Sequence, residues 1–155
     1  MRTYTRRTLS FEFADHLVKR AFHEATQLGI KVSVCIVDES GVTKAYGRMD
    51  GAPLVAEDAC RKKARTAVGF GLKTGEEWHD FIKDDPILSE GAQALADFIL
   101  LGGGAPITVE GDMVGAIGVA GGHYQQDEAC VLAALKDTAI EAPPETVAHR
   151  VHQDV

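Results

Sequence analysis

Lys63, His123 and Asp127 carry the strongest chemical signals in this sequence. Around the segment 54–68, stepping about 100° per residue, Ala56, Ala59, Cys60, Ala64 and Ala67 make an inward arc, with Asp58, Arg61, Lys62 and Arg65 on the outer side. Lys63 falls inside the apolar arc. A buried ammonium needs a partner or gives up its proton. Lys63 therefore pairs with a carboxylate such as Asp38, Asp50 or Glu57, or faces an anionic ligand, or snorkels along its stem. His123 sits in a glycine turn at the start of the last helix, where a ring that titrates near neutrality can move protons or bind a metal. Asp127 follows in the first turn of that helix, near enough to share the work, although the helix dipole by itself favours both Asp127 and Glu128 there.

Other residues could hold a ligand. Gly102, Gly103 and Gly104 on one side, and Gly121 and Gly122 on the other, flank a strand hairpin. Glycine permits positive φ and close approach, and the N–H groups at a helix start favour an anion. Backbone amides are thus the expected grip, with Gly122 and Tyr124 at one end and the three glycines at the other; tight turns without a ligand are the plainer reading of the same residues. Arg48 can hold a carboxylate through two parallel hydrogen bonds, and Asp50 can orient Lys63 or cap the turn. Trp78 and His79 could close over a flat ligand, or Trp78 could anchor the core. The sequence has no Ser/His/Asp order, phosphate loop, dinucleotide fingerprint or HExxH pair, and no Cys/His pair offers a zinc site.

Helices and strands must position these groups. Ser10 caps a first helix that runs to about Leu28, where Gly29 stops it. Ala14, Leu17, Val18, Ala21, Ala25 and Leu28 form its apolar face, and His16, Arg20, His23 and Gln27 the opposite stripe. Residues 31–38 and 42–49 read as a hairpin, and 54–68 as the second helix. Thr74 and Glu77 have the spacing of a capping box for a short helix carrying Trp78, Phe81 and Ile82 on one side. Pro86 suits the first turn of another. Strands are expected at about 98–101, 107–110 and 113–120, and a last helix from about Tyr124 to Ile140. The stretch from Ala129 to Leu135 is apolar almost all round, which predicts self-association. Residues 1–140 read as one domain, and 141–155 as a flexible tail or a subunit contact.

A chain of 155 residues can bury a core of its own. With 45% hydrophobic and 25% charged residues, the composition is that of a soluble globular protein. No apolar run approaches the ~20 residues needed to span a bilayer, so neither a membrane nor a secretory leader is expected. A net charge of −7 argues against a nucleic-acid surface. Cys35, Cys60 and Cys130 are odd in number and set among apolar residues, so they read as reduced core thiols of a cytoplasmic protein.

Several segments in one order carry a family pattern: ATQLGIKVSVCIVDESG (25–41), YGRMDGAP (46–53), KKARTAVGFG (62–71), GGGAPITVEGDMVGAIGVAGG (102–122) and QQDEA (125–129). From about Leu9 to Leu135 the chain resembles the GlcG/HbpS family, whose haem-binding-protein-like domain also forms the C-terminus of PduO-type cobalamin adenosyltransferases. The resemblance implies an α+β, profilin-like fold: three layers, α/β/α, with a central antiparallel sheet of about five strands and helices on both faces. It also implies homo-oligomers, often octamers. Relatives bind haem, and some degrade it or bind iron; others lie among genes for glycolate or aromatic catabolism. Many relatives have a small residue or proline after the second glycine pair, where this chain has His123 and Tyr124.

Two functions are expected from these readings. The first is a cytoplasmic oligomer that binds haem or another tetrapyrrole, with His79 or His123 as axial ligand, less readily His16 or His23, and Arg48 or Lys63 on the propionates. The second is a cofactor-independent tautomerase, deaminase or hydrolase acting on a small carboxylate. In that enzyme the glycine turns and Arg48 would hold the substrate, Lys63 would stabilise an enolate, and His123 with Asp127 or His79 would move protons. Either way the ligand is expected to be an anionic small molecule.

Overall fold

Ser33 to Val37 of the first strand are all buried, and their side chains alternate between two separate cores. Val34 and Ile36 join one cluster with Phe13, Leu17 and Ala21; Cys35 and Val37 join the other with Ala56, Cys60 and Ala64. A strand that is apolar on both faces calls for cover on both faces.

The computed structural model describes residues 1–136, so the expected tail 141–155 lies outside the described residues. The order is α1 (Phe11–Leu28), β1 (Ser33–Asp38), β2 (Thr43–Arg48), α2 (Val55–Phe70), α3 (Glu76–Ile82), α4 (Pro86–Gln93), β3 (Gly104–Val109), β4 (Asp112–Ala120) and α5 (Tyr124–Leu135). It is a mixed α+β fold with one antiparallel sheet, in the order β2-β1-β4-β3. Residues of α1 and α5 enter the first cluster and those of α2 the second.

The described sheet has four strands, not about five. The segment expected as a strand at 98–101 is irregular because its main-chain groups bond elsewhere. Thr66 Oγ1 donates to Asp97 O (3.0 Å) and accepts from Ile99 N–H (3.0 Å), and Leu100 O accepts from Gly75 N–H (2.6 Å). Those bonds tie the segment to α2 and α3 instead of to a ladder.

Local signals shape most boundaries. Ser10 Oγ accepts from Phe13 N–H (3.1 Å), and Gly29 ends α1 at φ 72°. Asp85 caps α4 through Leu88 N–H, with Pro86 in the first turn. Glu110 and Gly111, both at positive φ, make the tight turn between β3 and β4. Thr74 does not cap α3: Gly75 is the N-cap, and Thr74 Oγ1 instead accepts from Gly104 N–H (2.8 Å). The expected box spacing is real but tertiary geometry redirects the hydroxyl to the glycine run.

α5 is described to Leu135. Cys130, Val131 and Ala134 are buried in the first cluster with residues of α1, so the apolarity of 129–135 has a cause within the chain. Leu132 remains 60% exposed.

Candidate functional site

Two cavities open along the start of β3. One, of about 460 Å³, is lined by Gly75, Glu76 and His79 from α3 and its N-cap, by Leu100, Leu101 and Gly102, and by Tyr124 and Gln125 of α5. The other, of about 800 Å³, has Gly103, Gly104 and Ala105 as its floor, Lys73 to Asp80 along one wall and Glu128 to Lys136 along the other. Glu76 lines both. The two adjoin at Glu76, and together they are called the groove between α3 and α5.

Packing against the chain itself accounts for the three glycines. A Cβ on Gly102 would overlap the Glu128 side chain. One on Gly103, which sits at φ 113°, would lie 2.5 Å from Val119 O and 3.1 Å from Lys63 Nζ, and one on Gly104 would lie 2.5 Å from Lys63 O. The expected amide grip is largely engaged: Gly104 N–H donates to Thr74, and Gly122 N–H donates to Asp127 Oδ1 (3.0 Å).

Lys63 does point inward, at 2% exposure, but its partner is Asp127, not Asp38, Asp50 or Glu57. Nζ lies 3.0 Å from Asp127 Oδ2 and donates to Val119 O at 2.9 Å, while Asp127 is itself 2% exposed. Burial pulls Lys63 below the usual ammonium range, and the Asp127 carboxylate offsets part of that. Burial likewise pushes Asp127 up, opposed by Lys63 and by the Gly122 and Gly121 N–H groups. The pair joins α2 to α5 at the end of β4.

His123 is exposed and acts as the N-cap of α5. Its Nδ1 accepts from Gln125 N–H (3.2 Å), Gln126 Oε1 accepts from His123 N–H (3.0 Å), and its ring lies 4.3 Å from that of Tyr124. This is a capping box with histidine in the place of serine or threonine. His79 is different, with a side chain 58% exposed and set in the groove wall. Trp78, one residue earlier, is 1% exposed and packs on Phe70, Phe81 and Phe98. Its indole is therefore a core anchor that presents no face to the groove.

Arg48 and Asp50 are not brought to the glycine run. Arg48 ends β2, the edge opposite β3, and three strand spacings amount to roughly 14 Å. His16 and His23 lie on the exposed side of α1. The thiols are buried and free, and burial raises Cys60 and Cys130 to about 12, so none is a nucleophile at neutral pH. Among the described residues no group of three or more His, Cys, Asp or Glu could hold a metal ion, and no helix is long and apolar enough to cross a membrane.

Sequence reasoning gave Glu128 only a helix-dipole role and passed over Glu76, Lys73 and Lys136. Glu128 shares its face of α5 with Tyr124, one turn earlier, and its Oε1 lies against Gly75 and Gly102. Burial raises its pKa and the Glu76 carboxylate raises it further, against the pull of Lys63. No sequence signal joins Glu128 to Gly75, because 53 positions separate them.

A family model described as "Haem degrading protein HbpS-like" matches residues 9–136. The corrinoid adenosyltransferase PduO of Salmonella typhimurium is 33% identical over 120 residues, which is 77% of this chain but only 35% of the length of that enzyme. Protein GlcG of Escherichia coli K12 is 29% identical over 115 residues, 74% of this chain and 83% of that protein. Among solved structures, a complex of PduOC with haem superposes with a TM-score of 0.75 at 30% identity, covering 83% of this chain and 93% of that one.

Proposed function

Because the chain belongs to the HbpS-like family, we propose that it binds haem, or a closely related tetrapyrrole, in the groove between α3 and α5. The observation that carries this reading is His79, an exposed imidazole in the wall of a cavity that Leu100, Leu101, Tyr124, Gly75 and Gly102 line together with Glu76 and Gln125. The similarity to a PduOC domain solved with haem supports it.

The residues present fit the group. Imidazole is a common axial ligand, and His79 lines a cavity of about 460 Å³ that adjoins one of about 800 Å³ at Glu76. Val131, Leu132 and Leu135 supply an apolar wall. Lys73 and Lys136, both exposed at the groove, would take the propionates in place of Arg48 and the buried Lys63. Haem when bound would supply an iron centre open to exogenous ligands; the chain would supply its axial imidazole, orientation and exclusion of water. Exposed Leu132 is the position from which we would expect a homo-oligomer, such as an octamer, to build.

The reading as an enzyme on a small carboxylate gains nothing from the geometry. Its Lys63 and Asp127 are engaged with each other out of contact with solvent, and the Nδ1 of His123 is held by the helix cap. A haemin titration followed at the Soret band tests the proposal. One haemin per chain with a sharp band that is lost in His79→Ala and kept in His123→Ala is expected. A weak, non-saturating spectrum equal in all three proteins would refute it.

A further inference from the structure

The Glu128 carboxylate fills the space that a side chain on Gly102 would take, and among the described residues it gains no hydrogen bond there. Gly102 precedes β3, and a Cβ on it would collide with Oε1; Gly75, before α3, also lies against Oε1, but its φ of 98° and the Gly102 backbone already call for glycine there. Among the described residues nothing donates to this carboxylate and no cation pairs with it at contact distance. Its neighbour Asp127, by contrast, has Lys63 and the Gly122 N–H. The charged and titratable groups around it are Glu76, Glu77, His79, Asp80 and Lys73 from α3 and its approach, Asp127, His123 and Lys136 on α5, and Lys63 from α2. Carboxylates prevail among those lining the groove.

Solvent is what stabilises an ionised Glu128 in this position. A flat ligand seated on the glycine floor would displace that solvent, and a ligand carrying its own carboxylates would add repulsion. A desolvated carboxylate without a donor takes up a proton. We propose that Glu128 is the specificity-determining residue of the groove: entry of a flat, carboxylate-bearing ligand transfers one proton from solvent to Glu128, and the resulting carboxyl O–H donates a hydrogen bond to the ligand. No other bond forms or breaks in this step. The already raised pKa of the free protein lowers the cost of that uptake. The inference rests on the haem reading above and assigns its selectivity to one side chain; an organic cation would instead leave Glu128 ionised.

The test uses haemin with the wild-type chain and Glu128→Gln, whose amide carries a permanent donor and no charge. Affinities are measured from pH 5.5 to 8.5, and proton uptake by calorimetry at pH 7 in two buffers of different ionisation enthalpy. Between the free and bound pKa values of Glu128, wild-type affinity should fall by up to about tenfold per pH unit more than that of the variant, since uptake of one proton is a factor of ten per pH unit. The wild type should also take up more protons, by up to one per haemin. Equal slopes and equal proton counts would overturn the role of Glu128 while leaving haem binding intact. Absence of a saturating Soret band in the wild type at every pH would overturn both proposals. Unfolding midpoints of the two proteins, matched within error, establish that the comparison is between folded chains.

Discussion

Asp127 and Glu128 are consecutive residues of one helix, and their carboxylates serve different regions of the molecule. Asp127 turns toward the end of β4, where Lys63, the Gly122 N–H and full burial enclose it. Glu128 turns toward the groove, where it lies against Gly75 and Gly102 without a donor. The difference teaches how to sort charged residues near a glycine run: one whose hydrogen bonds are complete belongs to the scaffold, and one left incomplete in a cavity is available to a ligand.

The largest way to break this contrast is at Lys63. Lys63→Met leaves the Asp127 carboxylate buried without its cation, which typically costs about 3–5 kcal/mol, and denaturant unfolding should record a loss of that size. The Lys63→Met/Asp127→Leu double variant should recover much of it. A fully stable single variant would show that the Gly121 and Gly122 N–H groups hold the Asp127 carboxylate without a cation. Glu128→Ala, by the same measurement, should change stability by no more than about 0.5 kcal/mol.

The glycines sharpen the same division. Gly103→Ala meets a backbone oxygen at positive φ and should cost about 2–4 kcal/mol. Gly102→Ala meets only the movable Glu128 side chain, so the protein should stay within about 1 kcal/mol of wild type while haemin affinity shifts. Equal losses of stability at the two positions would mean that Glu128 is as firmly held as the Lys63 pair.

A smaller effect is expected at His123, where Ala removes a helix cap worth about 1 kcal/mol and leaves the haemin spectrum unchanged; a lost Soret band would move the axial ligand to this residue. Smallest is the pH dependence of the free protein. Glu128 holds its proton to higher pH folded than unfolded, so its contribution to stability falls as pH rises from the ordinary glutamate value through the raised folded one. Glu128→Gln should flatten the unfolding midpoint across that window, and an unaltered pH profile would count against the raised pKa.

Much of the fold was legible in the chain because local chemistry decides it. Ser10, Gly29, Asp85 and Pro86 bound helices through bonds within a few residues, and apolar periodicity put Lys63 on the inner face of α2 before its partner was known. The segment 98–101 was misread because apolar residues suit a strand, while its partners, Thr66 and Gly75, are distant in sequence. Thr74 was misread for the same reason, its hydroxyl choosing Gly104 over its own helix. The family pattern agreed with the matched model over nearly the whole chain, since such motifs record packing constraints that recur in order.

By itself the sequence determined the boundaries of α1 and the start of α4, the inward lysine and the family, all properties set by spacing along a few turns or strands. Only the tertiary structure decided that Lys63 meets Asp127 across 64 positions, that His123 caps a helix while His79 faces a groove, that Arg48 lies on the far edge of the sheet, and that Glu128 rests on two glycines without a donor. Hydrogen-bond completeness and solvent access are properties of neighbours in space, and the spacing of residues along a chain does not encode them one pair at a time.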